Sequence, residues 1–387
     1  MHNFNFFAEK PGSSYKKSDS LLIIMILLLW GIGIVTLYFC SQGFAERVFG
    51  NSFYFVKRQL VSSLIGFVLM IFFAVVDMRF IRRIIPGIVF ISIFLCILTF
   101  IPEIGIERNG ARRWIKVPFF STFQPSEAIK IAIVLFLANY FDKQENLPED
   151  EKNVAKAVGF LVIFVGIIFA QNDFSTGFFV LLLGLIIFFV SGAKLSYFIP
   201  LTFLAIPIAS LFILLKPYRV NRILGFLAPN EFQDTFNYQL RNAKRAIENG
   251  GFWGQGMGSG LSKISAVPEI QSDYIFVGWT EAMGFFGVLL YFCMLFYFGW
   301  RIFKISMNCG DRFASIATFG FGSSIIIQSL VNIAVVGGVL PSTGIPLPFF
   351  SSGGSSIICT LIMCGFMINA SRIEKNDEFD FLIKESF

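Results

Sequence analysis

The sequence predicts an all-α protein that crosses a membrane about ten times, because long apolar runs recur and charges are scarce. Of its 387 residues, 55% are hydrophobic and only 14% are charged, whereas soluble domains average about 25% charged residues. Each apolar run is roughly long enough for a helix, whose backbone hydrogen bonds are satisfied internally, to cross the bilayer. The predicted spans are 20–40, 58–77, 84–101, 125–142, 156–171, 174–191, 195–216, 274–299, 313–336 and 354–372.

The distribution of lysine and arginine predicts the orientation of these spans. Short cytoplasmic loops are enriched in basic residues, and an N-terminus in the cytoplasm puts several of them there. These are Arg79, Arg82, Arg83, Arg301, Lys304 and Arg312. We therefore expect a cytoplasmic tail over 1–19, a membrane domain over 20–372 that includes a large outer loop at 217–273, and a cytoplasmic tail over 373–387.

Further basic residues fall in the predicted outer loops, against the usual bias, and indicate an anionic ligand on that side. The loop at 102–124 contributes Arg112 and Arg113, and the large loop contributes Arg219 and Lys263. For the large loop taken alone, translocation of a long loop regardless of its charge is an equal alternative.

Several kinds of chemistry are excluded by the residues that the chain lacks. Its one histidine is His2, so serine–histidine catalysis and histidine-based metal sites are excluded. No GxxxxGK[ST] phosphate loop occurs. The six cysteines show no CxxC spacing and are expected to be buried small hydrophobic residues. Catalysis must therefore use carboxylates, lysines or arginines.

Charged residues at the ends of spans are functional candidates because they are costly in a membrane. Glu127 and Lys130 are three residues apart at the start of the fourth span, so they share a helix face. They either belong to the site or form a structural ion pair between helices. Asp173 lies in a short connection between two spans, where it either belongs to the site or caps the following helix.

Asp273 joins the large outer loop to the eighth span, and aromatic and apolar residues follow it. A carboxylate at such a partly dry boundary is suited to accept a proton. Glu281 lies eight residues further on, nearly on the same helix face. Glu281 either extends the polar surface inward or has a structural role.

Two segments rich in glycine or proline flank this region. Residues 250–260, GGFWGQGMGSG, predict a turning loop whose amides could approach a phosphate. Residues 340–356, LPSTGIPLPFFSSGGSS, cannot form a regular helix. Irregular backbone at membrane depth must pack in protein or line a cavity, so we expect a re-entrant segment there, with a purely structural turn as the alternative.

A series of ordered motifs extends over nearly the whole chain. They are NGARRWI (109–115), FQPSE (123–127) with Lys130, QNDF (171–174) with Thr176, PYR (217–219), FLAP (226–229), GQGMG (254–258), VPE (267–269), SDYIF (272–276) and PSTGIPLPFFSSGGSS (341–356). This set resembles the SEDS family of bacterial shape, elongation, division and sporulation proteins.

The resemblance implies a ten-span SEDS fold and peptidoglycan glycosyltransferase activity, in which the sugar 4-hydroxyl of lipid II attacks the anomeric carbon of a polyprenyl-diphosphate-linked glycan. The family's essential aspartate falls on Asp273. Its conserved glutamate and lysine fall on Glu127 and Lys130, and the acidic residue of its QPDFGT motif falls on Asp173. QNDF and LPFFS are more similar to the division branch, whereas PSTGIP is closer to the elongation branch.

The chain departs from the family pattern at several positions. They are Gln271-Ser272 for His-Thr, Asn172 for Pro, Ser175 for Gly, Ala282 for Glu and Ser352 for Tyr. A mechanism that requires this histidine or this glutamate does not carry over.

The residues and the resemblance together predict a lipid II polymerase in which Asp273 is the general base and Arg112, Arg113 and Lys130 hold the diphosphate. The remaining predicted substrate-binding residues are Glu127, Asp173, Arg219, Lys263, Glu269 and Glu281. No compact carboxylate cluster marks a metal site, so any Mg²⁺ or Mn²⁺ is expected to arrive with the substrate.

The resemblance also implies a multi-pass protein of the bacterial inner membrane at the division septum. Its expected partners are a class B penicillin-binding protein and other divisome proteins, and no nucleic acid. Three alternatives stay open: a lipid II flippase, an elongation-type polymerase and a non-catalytic scaffold.

Overall fold

The computed structural model describes residues 17–108, 111–117, 122–145, 147, 153–193, 220, 226, 238–259 and 267–373. Helices dominate this part of the chain. In chain order, the elements are α1 (Ser20–Phe49), α2 (Tyr54–Val75), α3 (Met78–Leu98), β1 (Gly105–Arg108), β2 (Ala111–Lys116), β3 (Thr122–Phe123), α4 (Pro125–Gln144), α5 (Val154–Ala170), α6 (Phe174–Val190), α7 (Tyr238–Gly250), α8 (Ile275–Asn308), α9 (Arg312–Val336) and α10 (Gly354–Ala370).

The helices confirm a polytopic membrane protein. Helices α1, α2, α3, α8 and α9 are long and apolar enough to cross a membrane, and α5, α6 and α10 are shorter apolar helices of 17 residues each. Helix α4 is mostly buried among the others and contains the Glu127–Lys130 pair. Every predicted span coincides with one of these helices except 195–216, which lies outside the described residues.

Aspartates begin four of these helices, as expected of a residue whose side chain can accept a bond from the first free amides. They are Asp19, Asp77, Asp173 and Asp311, which cap α1, α3, α6 and α9. Helix α1 ends at Gly50, whose left-handed backbone (φ 63°) directs its amide to Glu46 O. These signals set the helix ends and therefore the positions of the short connections.

Helix α8 is broken near its outer end, which a continuous eighth span did not predict. Gly284 has φ 63° and ψ −160°, values that interrupt the helical hydrogen bonds. A break at membrane depth must have its freed backbone groups satisfied elsewhere. Below the break the helix continues to Asn308, beyond the predicted end at 299.

The glycine-rich loop after α7 satisfies those freed groups. Four backbone bonds join it to α8: Gln255 N to Glu281 O (3.0 Å), Gly256 N to Ala282 O (3.0 Å), Phe285 N to Gly251 O (3.0 Å) and Phe286 N to Phe252 O (3.2 Å). Two amides of this loop are therefore committed to the helix. The interpretation that its amides approach a phosphate is wrong for these two groups.

The outer segment after α3, expected to be a loop, forms a three-stranded antiparallel sheet. Strand β2 pairs with β1 on one side and with β3 on the other. Gly105 lies opposite Ile115, which in turn lies opposite Phe123. The sheet leads directly into α4 and so fixes the entry of that helix.

The opposite end of the bundle is tied by ion pairs. Arg82 on α3 contacts Asp142 on α4 and also Asp311 at the start of α9, the latter at 2.8 Å. Arg301 on α8 pairs with Asp19 before α1. Each arginine joins separate helices, which holds the bundle together at the end that we predict to be cytoplasmic.

The cysteines are free thiols, and five of the six are buried as expected. Cys293 is the exception, since α8 presents it on the outer surface of the bundle. Outside the spans, burial raises the pKa of the Cys309 thiol to about 11. This thiol is therefore protonated at neutral pH and unreactive.

Candidate active site

Glu127 and Lys130 on α4 form the buried pair that their spacing predicts. Lys130 Nζ lies 2.8 Å from Glu127 Oε2, and both side chains are almost fully buried. The same ammonium donates to Gln328 Oε1 on α9 at 2.7 Å. The pair therefore joins α4 to α9, which is the structural role that the sequence offered as an alternative to a role in the site. Lys130 Nζ thus has two partners within the protein, and its charge is already offset in this structure.

Asp173 serves both as a helix cap and as part of a polar cluster. Its Oδ1 accepts from Thr176 N at 3.3 Å and lies 3.4 Å from Arg113 Nη1. Its Oδ2 accepts from Gln124 Nε2 at 3.2 Å. The carboxylate is 1% exposed, so its charge is offset by Arg113 rather than by water.

The two predicted arginines of the outer sheet separate. Arg113 donates to Asn172 O at 2.8 Å and reaches Asp173. Arg112 instead pairs with Glu107 at 3.0 Å on the solvent side. Successive strand residues point to opposite faces, so Arg113 joins the cluster and Arg112 does not. That both arginines hold the diphosphate stays a prediction.

Asp273 lies at the outer end of α8 and is half-buried. Its backbone carbonyl accepts from Asn332 Nδ2 on α9 at 2.8 Å. Gly344 packs against its carboxylate so closely that a methyl group on that glycine would lie 3.5 Å from Oδ2. The carboxylate is thus placed between the start of α8 and the proline-rich segment before α10.

That proline-rich segment, residues 340–353, is the last outer segment. It is non-helical and buries Ile345, Leu347, Phe349 and Phe350. This confirms the prediction of irregular backbone packed inside the protein.

Side chains bind the free carbonyls of this segment, as its depth requires. Asn332 Nδ2 donates to Ile345 O at 2.8 Å, and Gln328 Nε2 donates to Pro346 O at 2.9 Å. Ser351 Oγ donates to Ser272 O at 2.6 Å, which ties the segment to the residue before Asp273. The buried pair of α4, the last outer segment and Asp273 are therefore connected through α9.

The comparisons with known proteins agree with this arrangement. The family model described as cell cycle protein, which covers FtsW, RodA and SpoVE, matches residues 19–376. The chain belongs to this family. Its members are the SEDS proteins that the motifs indicated.

Two relatives illustrate the likeness of this SEDS chain. Stage V sporulation protein E of Bacillus subtilis (strain 168) is 37% identical over 361 residues, covering 92% of this chain and 98% of the relative. A Borreliella burgdorferi protein named "Probable peptidoglycan glycosyltransferase FtsW" is 34% identical over 361 residues, covering 92% and 97%. Relatives with the FtsW name agree with the predicted likeness to the division branch.

Solved structures show the same SEDS fold. A chain from a study of how a peptidoglycan synthase complex coordinates polymerisation and crosslinking matches with a TM-score of 0.75 and 26% identity, covering 93% of this chain and 99% of that one. RodA of Thermus thermophilus, a rod shape determining protein, matches with a TM-score of 0.67 and 23% identity, covering 92% and 97%.

The two other acidic candidates of this SEDS protein differ in exposure. Glu269 is exposed and accepts from Ser272 Oγ at 3.0 Å, within the turn that leads to Asp273. Glu281 is fully buried in α8, and its carbonyl accepts from Gln255 N beside the helix break. Arg219 and Lys263 lie outside the described residues.

The described part of the SEDS chain brings together no group of three or more His, Cys, Asp or Glu residues that could hold a metal ion. A cation carried by the substrate stays a prediction.

Three amide side chains of the site were missed at the level of sequence: Gln124, Gln328 and Asn332. A signal was available for the last two, because uncharged polar residues four apart within a span share one helix face and require partners.

Proposed function

We propose that this SEDS protein is a peptidoglycan glycosyltransferase that joins lipid II into glycan strands on the outer side of the cytoplasmic membrane. The names of its relatives support this activity, as does the likeness to a chain of a peptidoglycan synthase complex. The observation that carries the proposal is the position of Asp273, half-buried at the end of a span and held between α8, α9 and the last outer segment.

Asp273 acts as the general base. Its carboxylate takes the proton of the acceptor 4-hydroxyl as that oxygen forms a bond to the anomeric carbon of the donor glycan. The bond between the anomeric carbon and the diphosphate oxygen breaks, and its electron pair leaves with the polyprenyl diphosphate. One C–O bond thus forms and one breaks, the proton passes to Asp273, and no other reactant is needed.

Arg113 is the described basic residue best placed to attract the anionic leaving group. It is 26% exposed, whereas Lys130 is buried and already has two partners. Asp173 offsets part of its charge, so Arg113 orients the diphosphate through hydrogen bonds more than through net charge. A divalent cation that arrived with the diphosphate would supply further neutralisation beside Arg113.

The expected setting is the division septum of the inner membrane, with a class B penicillin-binding protein as partner. The synthase complex of the structural neighbour supports such a partner in general. The N-terminal tail and the C-terminal tail then lie in the cytoplasm, as the basic residues predict.

Purified protein in detergent, with and without the partner, tests the activity because no membrane sides exist there. We expect lipid II to be converted into longer glycan by the native chain and by Glu103→Gln, which changes an exposed outer carboxylate. Asp273→Asn should yield no polymer while inserting normally into membranes.

Two outcomes would contradict the proposal. Full-length glycan from Asp273→Asn would remove the general base. Movement of lipid II across vesicles by a native protein that makes no glycan would identify a transporter instead.

A further inference from the structure

Asn332 has a buried acceptor atom that the fold does not use. The side chain is 1% exposed. Its Nδ2 donates to Asp273 O and Ile345 O, both at 2.8 Å. Within the described part of the chain, its Oδ1 has no hydrogen-bond partner.

The orientation of this amide follows from its partners. Both neighbours are backbone carbonyls, which only accept, so the NH₂ group must face them and Oδ1 must point elsewhere. A buried acceptor without a partner costs about 1–3 kcal/mol in general, and such atoms are normally met by water or by a ligand.

A second atom of the same kind lies nearby in the chain. Thr343 Oγ1 is buried and also lacks a partner among the described residues. Thr343 directly precedes Gly344, whose backbone packs against the Asp273 carboxylate. The two unused polar atoms thus belong to a residue that donates to the Asp273 backbone and to a residue that adjoins Gly344.

We infer that Asn332 is a substrate-positioning residue whose Oδ1 accepts a hydrogen bond from an O–H or N–H group of the acceptor amino sugar. This inference rests on the proposed glycosyltransferase function. The NH₂ group of Asn332 holds Asp273 and the last outer segment in place, and its oxygen aligns the sugar whose hydroxyl loses the proton. One side chain thus sets the distance between base and acceptor.

The chain offers a matched control. Asn369 on α10 is also 1% exposed, and its Nδ2 donates to two carbonyls, Phe73 O (2.9 Å) and Val76 O (2.6 Å). These carbonyls lie at the other end of the bundle. Asn369→Ala therefore removes the same kind of anchor far from the substrate.

The test uses lipid II analogues that each lack one hydroxyl group or carry an N-methylated acetamide. For the native enzyme we expect one analogue to lower kcat/KM about ten- to a hundredfold, because it leaves Oδ1 buried without a partner. Asn332→Ala should lose this discrimination. Asn369→Ala should retain it.

For variants without measurable polymerisation, the same comparison uses ligand binding. The increase in the thermal unfolding midpoint is measured with lipid II and with the analogue that lowers kcat/KM of the native enzyme. Discrimination by Asn332→Ala equal to that of the native enzyme would overturn the inference, as would the absence of any penalised analogue. A native enzyme that makes no glycan at all would instead refute the proposed function.

Discussion

Lys130 on α4 donates a 2.7 Å hydrogen bond to Gln328 on α9, and Gln328 in turn donates to the carbonyl of Pro346. One neutral amide thus serves a buried cation and a backbone acceptor together. The bond links the ion pair of α4 to the segment that packs against Asp273.

Gln328→Leu should therefore weaken both the fold and the activity. The change leaves Pro346 O without its donor and removes one of the two partners of Lys130, at a cost of about 1–3 kcal/mol. We expect a lower thermal unfolding midpoint and a loss of lipid II polymerisation. Ser329→Ala, at a neighbouring buried position whose hydroxyl donates to Ile325 O of its own helix and also interacts with Tyr291, is the control. Equal behaviour of the two variants would contradict this role.

Arg112 and Arg113 should differ in their contributions although they are adjacent in sequence. Arg113→Ala leaves the buried Asp173 without its cationic partner, at a cost of about 1–3 kcal/mol, and also removes the proposed diphosphate contact. Arg112→Ala breaks only an exposed pair with Glu107, worth about 0–1 kcal/mol. The measurements are the polymerisation rate and the thermal unfolding midpoint of each variant. A larger loss of polymerisation in Arg112→Ala than in Arg113→Ala would refute the assignment of Arg113 to the diphosphate.

How far the sequence predicted this site depends on the kind of residue. Charged residues at the ends of spans are rare, and this identified Asp273, Asp173, Glu127 and Lys130. The spacing of three residues also predicted that Glu127 and Lys130 pair. The separation of Arg112 from Arg113 was missed, because it requires knowing that 105–108, 111–116 and 122–123 form strands. That segment is short and mixed in polarity, so its pattern did not favour a sheet.

In the fold, too, some features could be predicted from the sequence and others could not. Long apolar runs predicted helices whose positions the structure confirms within the described residues. The break at Gly284 was missed because a single glycine is tolerated in many helices. Its freed backbone groups bond to the loop at 251–256, about 30 residues earlier in the chain, and this pairing could not be predicted from the local sequence.

The glycines of that loop should differ in their tolerance of alanine. A Cβ at Gly254 would lie 2.2 Å from Ala282 O, whereas one at Gly256 would meet no atom nearer than Ser259 Oγ at 4.0 Å. Both glycines have left-handed backbones, so both alanine variants carry about 1–2 kcal/mol of strain. Gly254→Ala should lose clearly more thermal stability than Gly256→Ala, and equal losses would show that the loop does not brace the break.

The orientation of the bundle can be tested with single cysteines in chains that retain the native, mostly buried thiols. Glu103→Cys lies on the predicted outer side and Arg83→Cys on the predicted cytoplasmic side, and both positions are exposed. A membrane-impermeant maleimide applied to intact cells with a permeabilised outer envelope should label the first and spare the second. The reverse pattern would invert the topology, since positive charges then face outward.

Gly344 should be required for activity more than for stability. Its φ is 73°, and its backbone packs beside Asp273 Oδ2. Gly344→Ala adds about 1–2 kcal/mol of backbone strain beside the proposed base and a methyl group in van der Waals contact with its carboxylate. Gly50→Ala is the matched control, since Gly50 has φ 63° and open space around it.

We expect the two variants to lose similar thermal stability. Only Gly344→Ala should lose polymerisation, by about tenfold or more, because small displacements of a base are costly. Unchanged polymerisation by Gly344→Ala would show that this contact does not position Asp273.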